Sequence, residues 1–421
     1  MIRAYILVLF YITDEVTSLL TPVASGLFAL FIIAFCMMHP ATRHAAPPNR
    51  SIAFAFTALL GFGTVGTVLS GTALSPLFVM TVALLFALWW TGARLPPMTR
   101  LITPAAALFG VVLASLFVVF ALFGFDLFST LRGVEANRAA GLFLEPSHLA
   151  LYVMPLWLIA FSRQSFRPLL YACMLFLVAA QFTFSMFAVL AAFFGLKAIL
   201  DSQSLRHSLT TMLKAASFVV AALVLVYSVP DLLVINNVEL PTYINNRIFG
   251  FVAREGDENF SLSPLVIVQG VELAGLSLSA SEGLGVGLGN MGINESIFSQ
   301  SPTRDILVRV TADFENLNLR DGGILLNKVV AEIGIFVLPF LWLLARAALR
   351  IRSLPRSRAR HFHMVLAALT VTLLLVRAIP YFAAPTCLAI LSLASLLHGR
   401  RQRRKRRRRA PRLSVQLAPL G

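Results

Sequence analysis

One segment carries the densest set of reactive side chains in this chain. Arg138-Ala-Ala-Gly-Leu-Phe-Leu-Glu145-Pro-Ser-His148 runs directly into the apolar stretch Leu149-Ala-Leu-Tyr152-Val-Met-Pro-Leu-Trp157. Pro146 is a favoured first residue of a helix, and Glu145 just before it would sit at the positive end of the helix dipole. Glu145, His148 and Tyr152 then share one helical face, being spaced three and four apart. A carboxylate and an imidazole placed in this way can take a proton from a hydroxyl. A cap and an interfacial histidine would be the purely structural use of the same residues. Of the histidines at 39, 44, 148, 207, 361, 363 and 398, only His148 is expected on the non-cytoplasmic side.

The cations come next. Arg132, Arg138, Arg247, Arg254, Arg304, Arg309 and Arg320 are all expected outside the cytoplasm, against the usual charge bias, and Arg377 lies near the outer end of an apolar run. A guanidinium offers phosphate a planar fork of donors and keeps its charge, so these arginines are candidate diphosphate ligands. Arg377, in Leu375-Val-Arg-Ala-Ile-Pro380, is the most informative of them because an intramembrane arginine needs a use or a partner. Snorkelling to the interface is the plain alternative. Gly283-Leu-Gly-Val-Gly-Leu-Gly-Asn290 looks like a phosphate loop but lacks the spacing of one, and reads better as a backbone turn lining the site. No Cys/His set suggests zinc, and no Ser/His/Asp set suggests a hydrolase. No metal or cofactor is expected.

The elements that must hold these groups are membrane helices. Of 421 residues, 58% are hydrophobic and 13% charged, with mean hydropathy +0.82, well below the charge content of a soluble protein of this size. Apolar runs fall at 2–13, 19–38, 51–70, 73–92, 101–124, 145–162, 168–182, 184–200, 213–229, 324–345, 363–379 and 381–398. The expected fold is therefore an all-α polytopic membrane protein of about twelve transmembrane helices. Acidic Asp14-Glu15 follows the first run where a cleavage site would need small residues, so no cleavable signal is expected. Cys36, Cys173 and Cys387 lie within the runs and read as small core residues.

Charge fixes the orientation. Alternate connections hold Arg3, Arg43 and Arg50, Arg94 and Arg100, Arg163 and Arg167, Lys197, Arg206 and Lys214, the Arg346–Arg360 cluster, and the basic tail, with Asp201 the only acid among them. The remaining acids fall on the opposite side, which the positive-inside rule makes extracytoplasmic. The organisation expected is an N-terminal bundle over 1–229 carrying the segment 138–150, one large extracytoplasmic loop or cap over 230–323, C-terminal helices over 324–398, and a basic cytoplasmic tail over 399–421. The net charge of +16 is concentrated in that tail, which suits anionic headgroups; no nucleic-acid module accompanies it.

Arg138-Ala-Ala-Gly141 followed by Phe143-Leu-Glu-Pro-Ser-His-Leu-Ala150 resembles the R-x-x-G…EPS-x-x-A segment of the O-antigen polymerase (Wzy-like) proteins, part of a wider group with the O-antigen ligases. Phe182-Thr-Phe-Ser185, Gly285-Val-Gly-Leu-Gly-Asn290, Glu332-Ile-Gly334, and Arg377 with Pro380 and Pro385 follow in the order the resemblance requires. It implies a GT-C-like membrane glycosyltransferase. Such an enzyme works at the outer face of the bacterial inner membrane and moves a glycan from undecaprenyl diphosphate onto a second lipid-linked repeat unit. Its partners would be undecaprenyl-diphosphate-linked oligosaccharides, membrane lipid, a chain-length regulator and a flippase. On this reading Glu145 is the base and His148 its orienter. Arg138 and Arg377 hold the diphosphate, with Arg247 and Arg320 next and Tyr152 beside the substrate. The ligases use a histidine in the large outer loop, and this loop has none. Transfer of finished glycan to a lipid core, or transport of lipid-linked oligosaccharide, are the competing functions. The lack of an internal repeat weakens the transporter.

Overall fold

The computed structural model describes residues 50–92, 146–160, 184–201, 262–310, 322–379 and 383–409, with isolated positions elsewhere. Apart from one two-residue antiparallel ladder, Val234–Ile235 with Val238–Glu239, the regular structure among these residues is helical. In chain order the helices are α1 (Arg50–Leu69), α2 (Pro76–Gly92), α3 (Pro146–Ala160), α4 (Phe184–Asp201), α5 (Leu262–Ala280), the short α6 (Glu295–Phe298), α7 (Pro302–Val310), α8 (Leu325–Ile333), α9 (Val337–Ser353), α10 (Arg358–Leu375) and α11 (Ala384–Arg409).

Helix starts follow local chemistry. α2, α3 and α7 each open on proline, whose missing N–H costs nothing at that position. Ser75 Oγ accepts from the Phe78 amide at the head of α2, and Ser357 caps α10 through the Arg360 amide. α7 is capped from a distance. The Glu272 carboxylate on α5 accepts from Ser301 Oγ at 2.5 Å, Thr303 Oγ1 at 2.6 Å and the Thr303 amide at 3.2 Å, at the end where the helix dipole favours negative charge.

Among the described residues, one helical run is long and apolar enough to cross a membrane, Leu325–Ser353, and 33% of its most apolar window is buried in the protein. The buried core helix of a soluble protein would show the reverse. Ile335, Leu338, Leu341, Trp342 and Leu349 form an exposed stripe along it. Contiguous apolar surface of this kind marks contact with lipid or with another protein. Shorter apolar helices cover Ala53–Leu69, Pro76–Gly92, His148–Ala160, Leu265–Ala280 and Ala384–Leu397.

The run expected as one span over 324–345 is broken at Gly334, whose φ of +51° ends α8. A 3-10 turn over Gly334–Phe336 follows, and Pro339 in the first turn of α9 needs no helical donor. Two further features depart from the expected spans. The segment expected as an outer loop contains the 19-residue α5, packed along α8. α11 also runs on past its apolar part into the basic tail as far as Arg409.

α10 packs against α3, α4 and α11, and α2 against α11. From Leu149 to Ala160 every residue of α3 is buried, as a helix apolar on all sides must be. One end of this bundle is tied by polar side chains. Arg360 Nη2 lies 2.6 Å from Asp201 Oδ1 and donates to Leu200 O at 2.8 Å, while His361 Nε2 is 2.5 Å from Leu158 O. The C-terminal ends of α3 and α4 therefore share a level with the first turn of α10. Asp201, the single acid expected on the basic side, is paired there with an arginine of the Arg346–Arg360 cluster.

Candidate functional site

Of the residues proposed from sequence, Glu145, Arg138, Arg247 and Arg320 lie outside the described residues. His148, Tyr152 and Arg377 can be placed. α3 begins at Pro146, so His148 stands in its first turn, where it is half-buried. Tyr152, one turn on, is 1% exposed and packs in the main core. Sequence spacing put it on the face of His148, but the apolar surroundings of α3 enclose that face within a turn.

Arg377 is half-buried just beyond α10, and its amide closes the helix on Thr372 O at 3.2 Å. The next amide, Ala378 N–H, leaves the helix altogether and donates to Gly323 O at 3.0 Å, immediately before α8. Arg377 is thus fixed beside the start of the broken span.

The polar centre that sequence reasoning missed lies along that span. Glu332, on the last turn of α8, is 1% exposed. Its Oε2 accepts from the Tyr381 hydroxyl at 2.6 Å, and its Oε1 faces the Met291 amide at 3.4 Å. Lys328, one turn earlier and also buried, places Nζ 5.0 Å from the centre of the Tyr381 ring. A buried carboxylate is tolerable only with such partners. The available signal was a lysine and a glutamate four apart inside an apolar run, since ionisable groups within a span are functional candidates by default. The tyrosine could not have been assigned, because its contact with Glu332 depends on tertiary packing.

The glycine-rich turn wraps around Glu332. Val286 N donates to Ala331 O at 2.9 Å, Gly287 N to Glu332 O at 3.0 Å, and Ile335 N to Gly283 O at 2.9 Å. Backbone groups released by the break at Gly334 are therefore taken up by the turn, as buried backbone polar groups require. On its other side the turn meets α1 and the α1–α2 connection. Thr67 Oγ1 donates to Val286 O at 2.9 Å, Ser75 Oγ to Asn290 Oδ1 at 2.6 Å, and Asn294 Nδ2 to Ser70 O at 2.8 Å. The amides of Gly285, Val286, Gly287, Asn290 and Met291 all have protein acceptors. These five donors are used within the protein, where the turn braces the helix break.

Arg304, counted among the outer arginines, is also in structural use. Its guanidinium lies 4.4 Å from the centre of the Phe298 ring and 3.8 Å from Glu295. Chemically, the arrangement offers a rigid buried carboxylate that fixes backbone, a histidine at the head of a core helix, and an arginine at the end of its neighbour. No protein-family model matches the chain, and no curated protein matches it either.

Proposed function

We propose that this chain is a polysaccharide repeat-unit polymerase of about twelve spans and GT-C-like architecture. It would transfer an undecaprenyl-diphosphate-linked glycan onto a second lipid-linked unit at the outer face of the inner membrane. The observation carrying the reading is that segments named by the resemblance in sequence order pack on one another. Gly285–Asn290 lies against Glu332–Gly334, and Tyr381, just after Arg377, bonds Glu332.

In the proposed reaction the acceptor hydroxyl oxygen bonds to the donor's anomeric carbon while the bond from that carbon to the diphosphate oxygen breaks. The hydroxyl proton passes to Glu145, oriented by His148, and undecaprenyl diphosphate leaves. Charge builds on the diphosphate through an oxocarbenium-like transition state, where Arg138 and Arg377, then Arg247 and Arg320, would stabilise it by several kcal/mol. α3 ends at the Leu158–His361 contact, where α10 begins. In an antiparallel pair the residues from Leu158 back to His148 rise about 15 Å and those from His361 to the end of α10 about 21 Å. His148 and the Arg377 end of α10 then face the same side.

Arg377→Lys keeps a charge and loses the fork. Polymer formation is expected to fall by at least about tenfold if the fork grips diphosphate, since one charge-assisted bond is worth roughly 1.5–3 kcal/mol. Full activity with lysine would make Arg377 an interfacial anchor.

A transporter of the same lipid-linked sugars is the second reading, favoured by the ionisable pair Lys328 and Glu332 within a span. Electrophoresis of surface glycan from a deletion strain separates the functions. Product limited to one repeat unit supports the polymerase. Full-length glycan without its core would indicate a ligase, and lipid-linked units retained in the cytoplasm would indicate the transporter.

A further inference from the structure

We infer that Glu332 and Tyr381 are positioning residues that hold the Arg377 segment in place, so that the buried carboxylate sets where the arginine meets its ligand. This rests on the proposed contact between Arg377 and a lipid diphosphate. The segment after α10 is tied at two points to opposite ends of α8. Ala378 N–H donates to Gly323 O at 3.0 Å, before the helix starts, and the Tyr381 hydroxyl donates to Glu332 Oε2 at 2.6 Å, on its last turn. The rise of α8 between these anchors is about 13 Å. Three peptide steps from Ala378 to Tyr381, about 10 Å when extended, together with the tyrosine side chain, can cover it.

The anchor at Glu332 is itself held firmly. Its carboxylate faces the Met291 amide, its own carbonyl accepts from Gly287, and the Lys328 ammonium lies over the tyrosine ring. The glycine turn, α8 and the Arg377 segment thus meet at one side chain that is too buried to touch substrate. Arg377 adjoins Ala378, and a guanidinium fork is sensitive to displacement because both of its bonds must align. A shift of about 1 Å in such a group is enough to cost up to about a hundredfold.

The test is a double-mutant cycle on the full-length chain in detergent, with undecaprenyl diphosphate as the probe ligand. Arg377→Ala is expected to weaken binding at least about tenfold, and Tyr381→Phe, which removes one hydroxyl, by about five- to tenfold. With Arg377 already alanine, Tyr381→Phe should cause no further loss. A general loosening of the fold would instead add its full cost in both backgrounds, and additive losses would overturn the inference. Tyr381→Phe binding like wild type while Arg377→Ala binds poorly would also overturn it, leaving the proposed function intact. Unchanged binding by Arg377→Ala would remove the functional reading beneath it. If Tyr381→Phe is not recovered from membranes, Glu332→Gln serves as the second variant and is read against Arg377→Ala in the same way.

Discussion

Glu145→Gln is expected to abolish long-chain glycan while leaving the amount of protein in the membrane unchanged. The substitution preserves size but removes the charge and the group proposed to take the acceptor proton. General-base assistance typically contributes about 10²- to 10⁴-fold. Polymerisation amplifies such a loss, because each long chain needs many successive transfers. Gel electrophoresis of surface glycan, beside an immunoblot of membranes, measures both parts of the expectation. Near-normal chain lengths would reject Glu145 as the base and leave His148 to be tested in its place. Low protein would instead mean that Glu145 is chiefly a cap for α3, which opens at Pro146.

Gly285→Ala is expected to destabilise the protein strongly. A methyl group there would lie 2.6 Å from both the carbonyl carbon and oxygen of Glu332 and 2.7 Å from the Gly334 nitrogen. All three are backbone atoms of the helix break, so no side chain can swing aside. The φ of +82° adds strain of about 1–2 kcal/mol for any residue with a Cβ. Overpacking adds about 1–3 kcal/mol. A combined loss of about 3 kcal/mol is a large share of the roughly 5–15 kcal/mol that stabilises a folded domain. Gly275→Ala on α5 is the control, because nothing lies within 4 Å of its added methyl. It should be neutral or slightly stabilising, alanine being the better helix former. Thermal unfolding in detergent distinguishes the two, and an unchanged midpoint for Gly285→Ala would mean that the turn does not seat against residues 332–334.

The helix register was largely legible in the sequence wherever a long apolar run met a local signal. Pro146 begins α3 as expected, and α4 occupies Phe184–Asp201 against an expected 184–200. Charge alternation put Asp201 among the basic residues, and it is paired with Arg360. Three features were hidden for physical reasons. α5 falls in the stretch expected as a loop or cap, because the connection around it is long and polar and rich in Gly and Asn turns. Gly270 is instead a close-approach site, where a Cβ would meet Gly322 O at 2.1 Å, so the missing side chain lets the backbone before α8 come close. The break at Gly334 was hidden because a single glycine inside an apolar run is tolerated in a helix; what permits it is the turn 283–292, donated from far along the chain. α11 continues to Arg409 because arginine, lysine and glutamine propagate a helix already formed.

The candidate site divides in the same way. Its candidate residues could be nominated from residue types and spacing, since acids, imidazoles and guanidinium groups stand out in an apolar sequence. Its support could not, because the bond from Tyr381 to Glu332 joins positions whose spacing shows no period. Lys328 and Glu332 were visible as charges in an apolar run, but only the packing of Met291 and Tyr381 around them assigns them a role.

The central claim is that this chain joins lipid-linked repeat units to one another. The most direct measurement supplies the purified full-length protein in lipid nanodiscs with undecaprenyl-diphosphate-linked repeat units and no other acceptor, and follows product size by gel or mass spectrometry. A ladder of increasing repeat number is expected, with one undecaprenyl diphosphate released per step and no ladder from Glu145→Gln. Repeat units that stay single until a lipid core is added, and then appear attached to that core, would contradict it.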